Sequence, residues 1–140
     1  MRILVALDGS PAAQRALRVG LVLARRMRGK LELLNVQPPM PIYGMVRAYL
    51  DANQYAKACA DLAQKALDPA VRAARRAGVA HRTHIMYGEP AKTVADGARK
   101  LKCGAIVMGT RGQGAVGNLV LGSVATKVIH LSQVPVTLVK

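Results

Sequence analysis

The strongest chemical signal in the chain is the stretch 109–123, which reads GTRGQGAVGNLVLGS. Glycines let a backbone take left-handed conformations and come close to a ligand that a Cβ would hold off. Arg111 places a guanidinium among them, and an apolar run, Ala105–Met108, leads straight in. A helix opening near Gly122-Ser123 would turn its first free N–H groups, and the positive end of its dipole, toward an anion. Charge-assisted hydrogen bonds contribute about 1.5–3 kcal/mol each, so three or four acting together can hold a polyphosphate.

Two familiar phosphate motifs overlap this stretch, and both fail. Gly112, Gly114 and Gly117 make GxGxxG, but the dinucleotide fingerprint needs an acid about 20 residues later for the ribose. No Asp or Glu follows Asp96. Gly117 to Ser123 imitates a P-loop in which serine stands where the lysine belongs. The first lysine after it is Lys127, on the helix, so the cation that bridges the terminal phosphates is missing from its place.

Other chemistries find less support. His81 and His84 are three apart on a strand, which puts them on opposite faces and argues against a metal pair. His130 stands alone near a helix end. Ser10 and Ser123 have no histidine near them in sequence, so no nucleophile–base pair is indicated. Glu89 reads as a helix N-terminal charge. Cys59 and Cys103 lack CxxC spacing and read as reduced, structural thiols.

The elements that must position the glycine stretch alternate along the chain. Strands are read at Arg2–Leu7, Leu31–Val36, Val79–Tyr87, Ala105–Met108 and Pro135–Val139. The first helix starts at Ser10-Pro11, an N-cap followed by proline at the first helical position, and Gly29 is its expected stop. A long helical region covers about Val46 to Ala77, with a kink or break expected at Asp68-Pro69. A third helix runs from Gly88-Glu89-Pro90 to about Leu101, and a last one over Ser123–Leu131. Apolar strands alternating with helices predict one α/β domain, 1–140: a doubly wound parallel sheet covered by helices on both faces. Ligands of such sheets bind beyond the carboxyl ends of the strands, which is where Asp8, Val36 and Gly109 fall.

Composition agrees. The chain of 140 residues has a largely aliphatic apolar set, with no Phe or Trp and four Tyr. No run approaches the roughly 18 apolar residues that span a bilayer. Ile3–Leu7 is shorter than the roughly 7–15 residues of a signal core, so a cytoplasmic location is expected and a membrane is not. The net charge of +14 favours anionic partners. Nucleic acid is not expected among them, because aromatic stacking platforms are missing.

The spacing Gly109-x2-Gly112-x9-Gly122-Ser123 resembles that of the universal stress protein family, in its ATP-binding branch. The resemblance runs the whole length, through Ile3-Leu4-Val5-Ala6-Leu7-Asp8-Gly9-Ser10, Gly88-Glu89-Pro90, Ile106-Val107-Met108-Gly109 and Val134-Pro135-Val136. Gly104 departs from it, since the family commonly has Asp there. The resemblance implies a five-stranded parallel sheet of order 3-2-1-4-5 and a homodimer joined through the last strand. It implies Asp8 by the ribose with Ala6 nearby, the Val36 backbone at the adenine and Met108 close to the base. Gly109, Arg111 and Gly112 would wrap the phosphates, with Gly122, Ser123 and Val124 meeting them at the helix start. A magnesium or manganese ion would accompany ATP. The function so implied is an ATP-binding regulatory module with slow or no hydrolysis. The alternatives are a slow ATPase, or a nucleotide-independent interaction protein using its basic surface and dimer edge.

Overall fold

The computed structural model describes residues 1–39, 51–113 and 121–140. Among these residues, five strands, β1 (Arg2–Ala6), β2 (Lys30–Gln37), β3 (His81–Tyr87), β4 (Ala105–Gly109) and β5 (Val136–Val139), alternate with four helices. The helices are α1 (Pro11–Arg26), α2 (Ala52–Arg76), α3 (Pro90–Lys100) and α4 (Ser123–Leu131). All strand pairs are parallel, in the order β3-β2-β1-β4-β5.

Side chains alternate between the two faces of the sheet, and each face carries its own core. Ile3, Val5, Leu31, Leu33 and Val107 bury against α1 and α2. Leu4, Leu34, Ile106 and Met108 bury against α3 and α4. The edge strands β3 and β5 are only half-buried, so burial on both faces holds for the central three, β1, β2 and β4, with Glu32 and Asn35 as the buried polar residues among them.

Local capping explains most element boundaries. Ser10 Oγ accepts from the Ala13 amide at 3.2 Å, with Pro11 in the first turn of α1. Asp51 and Gln54 form a reciprocal capping box on α2. The Glu89 carboxylate caps α3 through the Lys92 amide at 2.8 Å, and that hydrogen bond holds its carboxyl below the usual range.

Two boundary expectations change. The α2 helix runs through Pro69 without a break. Leu67, Ala70 and Ala74 are buried on the core, so packing on both sides of the proline carries the helix across the lost hydrogen bond. The start expected near Val46 lies outside the described residues. At the end of α1 the left-handed residue is Arg28 (φ 48°), not Gly29. Glycine is needed at 29 for another reason: a Cβ there would lie 2.6 Å from the Met1 carbonyl oxygen.

Glu32 is buried in β2 with its Oε2 2.7 Å from His84 Nε2 and the Arg2 guanidinium 3.9 Å away. Burial, reinforced by this carboxylate, pushes the thiol of buried Cys103 up to about 11. At pH 8 the folded protein should therefore be alkylated at Cys103 by iodoacetamide about a hundredfold more slowly than an ordinary cysteine. Labelling at the free-cysteine rate in the native state would refute this burial.

Candidate functional site

Beyond the carboxyl ends of β1, β2 and β4 lies a cleft of about 690 Å³. It opens between β1 and β4, where the chain order of the sheet reverses, as expected of a doubly wound fold. All ten expected residues line it: Ala6, Asp8, Val36, Met108, Gly109, Arg111, Gly112, Gly122, Ser123 and Val124.

One half of the cleft is apolar. Ala6, Leu34, Val36, Val94 and Met108 form its wall, drawn from three strands and α3. The β1–β2 ladder ends with Ala6 opposite Leu34, closed by the Leu7 amide donating to the Leu34 carbonyl at 2.8 Å. Because backbone groups alternate sides along a strand, those of Val36 point the same way as those of Leu34, past the end of β1. Asn35 Nδ2 donates to the Leu7 carbonyl at 2.6 Å and takes the acceptor the Val36 amide would otherwise use. A flat heterocycle with an alternating donor and acceptor edge fits such a wall.

The other half is built from amides and cations. Asp8 ties it to β1: Oδ1 accepts from the Ser10 amide at 2.9 Å and Oδ2 from the Gln113 amide at 3.2 Å. Gln113 Nε2 returns a bond to the Asp8 carbonyl at 3.0 Å. Asp8 is thus a loop anchor as well as a cleft residue, and this explains Gly112, whose Cβ would sit 2.7 Å from Asp8 Oδ2. Arg111 is exposed at the cleft and makes no ion pair among the described residues.

The start of α4 differs from the other helix starts. A side chain caps each of α1, α2 and α3, whereas α4 has Gly122 at its N-cap and no side-chain cap. Ser123 is the first helical residue and not the cap. An uncapped start leaves its first N–H groups without intrahelical partners, and they open onto the cleft. One expectation needs correction here. The Gly122 amide donates to the Thr110 carbonyl at 2.7 Å, so it locks the helix onto the glycine loop and is spent. The amides that follow it, from Ser123 and Val124, make no such bond among the described residues.

Among the lining residues that sequence reasoning passed over are Lys127 and Gln113. Lys127 lines the cleft one turn beyond Ser123, with its Nζ 3.7 Å from Glu89. Its signal was present, since residues four apart share a helix face. Gln113 had none, because its partner Asp8 is 105 residues away. Gly114 and Gly117 lie outside the described residues. No group of three or more His, Cys, Asp or Glu suited to a metal occurs among the described residues. No helix among them is long and apolar enough to cross a membrane.

Comparison with known proteins agrees with this architecture. The family model described as "Universal stress protein family" matches residues 1–140. A Thermus aquaticus universal stress protein is 34% identical over 99% of this chain and 97% of its own length. The solved Lactobacillus plantarum UspA shares the fold at a TM-score of 0.81 and 23% identity, over 100% of this chain and 97% of that one. An Archaeoglobus fulgidus universal stress protein solved in complex with dAMP has a TM-score of 0.74 and 27% identity, covering 100% and 98%. With a family match over its whole length and the glycine cleft at the switch point of a 3-2-1-4-5 sheet, the chain belongs to the universal stress protein family.

Proposed function

We propose that the cleft binds an adenine nucleotide, ATP foremost, and that the protein acts as a stress-response regulatory module through its bound state. The observation that carries this is the uncapped start of α4 facing the loop 109–112 across a cleft whose far wall is apolar. In this reading the base lies on Ala6, Val36 and Met108, and the Val36 backbone reads its edge. Asp8 meets the ribose. Gly109, Arg111 and Gly112 surround the phosphates from one side, and the Ser123 and Val124 amides from the other. The dAMP complex of the Archaeoglobus fulgidus relative supports the nucleotide class.

Hydrolysis is slow or absent in this proposal. A catalytic base must stand within hydrogen-bond reach of the attacking water. Both Asp8 carboxylate oxygens already accept amides, and Glu89 caps α3 beside Lys127. The described residues do not fit a protein-built metal site, so magnesium or manganese would enter on the phosphates themselves. A cytoplasmic location and a homodimer joined along β5 belong to the same proposal.

Ligand present at about 100 times its dissociation constant adds roughly 2.7 kcal/mol to stability. Magnesium-ATP should accordingly raise the melting temperature by several degrees, and GTP by less. If neither ATP nor any other adenine nucleotide moves the transition, the reading is wrong. Single-turnover phosphate release well above background would instead favour the slow-ATPase reading, which has Lys127 at the cleft on its side.

A further inference from the structure

The strand-start end of the molecule, opposite the cleft, collects charge that is scattered along the sequence. In a parallel sheet every helix returns to where the next strand begins, so helix C-termini and strand starts share one end. Hydrogen bonds confirm the gathering: Lys30 donates its amide to Met1, Leu31 to Ala80 and Gly104 to Arg2, at 2.8–2.9 Å. The end of α1 brings Arg25, Arg26 and Arg28 there, and α2 brings Arg75 and Arg76. The end of α3 brings Lys100 and Lys102, and the strand starts add Lys30 and Arg82. All nine are exposed, and none forms a salt bridge among the described residues.

Acids are few at this end. Asp8, Asp51 and Glu89 lie at the opposite one, before the helix N-termini, Asp61 and Asp68 stand before the last two turns of α2, and Asp96, held between Lys92 and Arg99, also acts on Lys100. Glu32 is near the strand starts but buried against His84. Complementing helix dipoles accounts for cations in the last turns. It does not account for Arg28 and Lys102. These take left-handed conformations (φ 48° and 53°) where the equivalent residue after α2 is Gly78 (φ 65°). Glycine adopts that conformation freely and a branched-off Cβ does not, so two of three such positions keep a charge at the expense of backbone strain.

We propose that this basic end docks on the phosphate backbone of duplex nucleic acid, without reading sequence. Missing aromatics argue against stacking of single strands, but backbone contact to a duplex needs only cations. Five strands about 4.8 Å apart with a helix layer on each side give a face roughly 25–30 Å across, the span of about eight base pairs. A membrane surface is the lesser fit. The exposed large apolar residues at this end are Met1, Met27 and, in the last turn of α4, Ile129 and Leu131, and the helices meet the face end-on, so none lies in its plane.

The test is fluorescence anisotropy of a labelled 24-base-pair DNA of mixed sequence with the full-length protein. With roughly five phosphates neutralised, the log–log salt slope is about −4.5, and affinity falls several-hundred-fold between 50 and 200 mM salt. Arg28→Gly with Lys102→Gly should flatten the slope by about two and weaken binding about tenfold or more, while the melting temperature stays level or rises. Lys57→Gln with Lys65→Gln removes the same net charge from the first two-thirds of α2 and should leave the affinity within about twofold. Equal losses in the two variants would mean that net charge and not this face does the binding. No duplex binding at 50 mM salt, a preference for the matched single strand, or capture by phosphatidylserine vesicles in place of DNA would each overturn the proposal.

Discussion

Replacing Gly122 with valine should abolish the stabilisation by magnesium-ATP, raising the dissociation constant at least 100-fold, a loss of about 2.7 kcal/mol, while the protein still folds. The backbone at Gly122 is ordinary, with φ −76° and ψ 161°, so no left-handed strain is involved. What matters is where a side chain would go. A Cβ would lie 3.2 Å from the Thr110 carbonyl oxygen and 3.5 Å from Arg111 Cα. The larger branches of valine must push the loop away, and with it the bond from the Gly122 amide to Thr110 that sets the α4 amides against residues 110–112. The side chain acts on the glycine loop more than on the phosphate space itself. Gly122→Ala is the graded control: its single methyl needs only a few tenths of an ångström, so a partial loss is expected. Titration calorimetry that finds ATP binding unchanged in the valine variant would separate the cleft from nucleotide binding altogether.

Gly109→Val should damage the fold itself, lowering stability by about 3 kcal/mol in the absence of any ligand. Gly109 ends β4, paired with Val139, and the first turn of α1 crosses directly over it. A Cβ there would lie 2.7 Å from Ala12 Cβ, 2.9 Å from the Ala12 carbonyl carbon and 3.1 Å from the Ala13 nitrogen. Two of these are backbone atoms in a turn held by Pro11 and by the Ser10 cap, so they cannot swing aside. Urea unfolding of the ligand-free protein measures the loss directly. Adding Ala12→Gly removes the nearest contact and should restore part of the loss for Gly109→Ala, more than for Gly109→Val. If Gly109→Val unfolds at the wild-type urea concentration, the close approach of α1 and β4 is not what makes glycine necessary.

The alternation of strands and helices, the cap at Ser10, the place of Glu89 at a helix N-terminus and the family resemblance were all legible in the residue order. Hydrophobic period, proline at the first helical turn and side-chain caps act over three or four residues, so they show wherever the chain is read. Of the ten residues expected at the cleft, Asp8, Val36 and Gly109 follow from strand ends and Arg111, Gly112, Gly122 and Ser123 from the glycine stretch, while Ala6, Met108, Val124 and the role given to each of the ten came from the family resemblance. What tertiary structure decided is what passes between segments far apart in the chain. Which amides stay free at α4 depended on Thr110 reaching Gly122. The free edge of Val36 depended on β1 ending two residues early in register and on Asn35 turning back to Leu7. The joining of Asp8 to Gln113, and the gathering of arginines and lysines from three helix ends onto one face, depended on parallel strands returning to a common end. Such contacts are set by register and handedness across the whole sheet, and no window of neighbouring residues contains them.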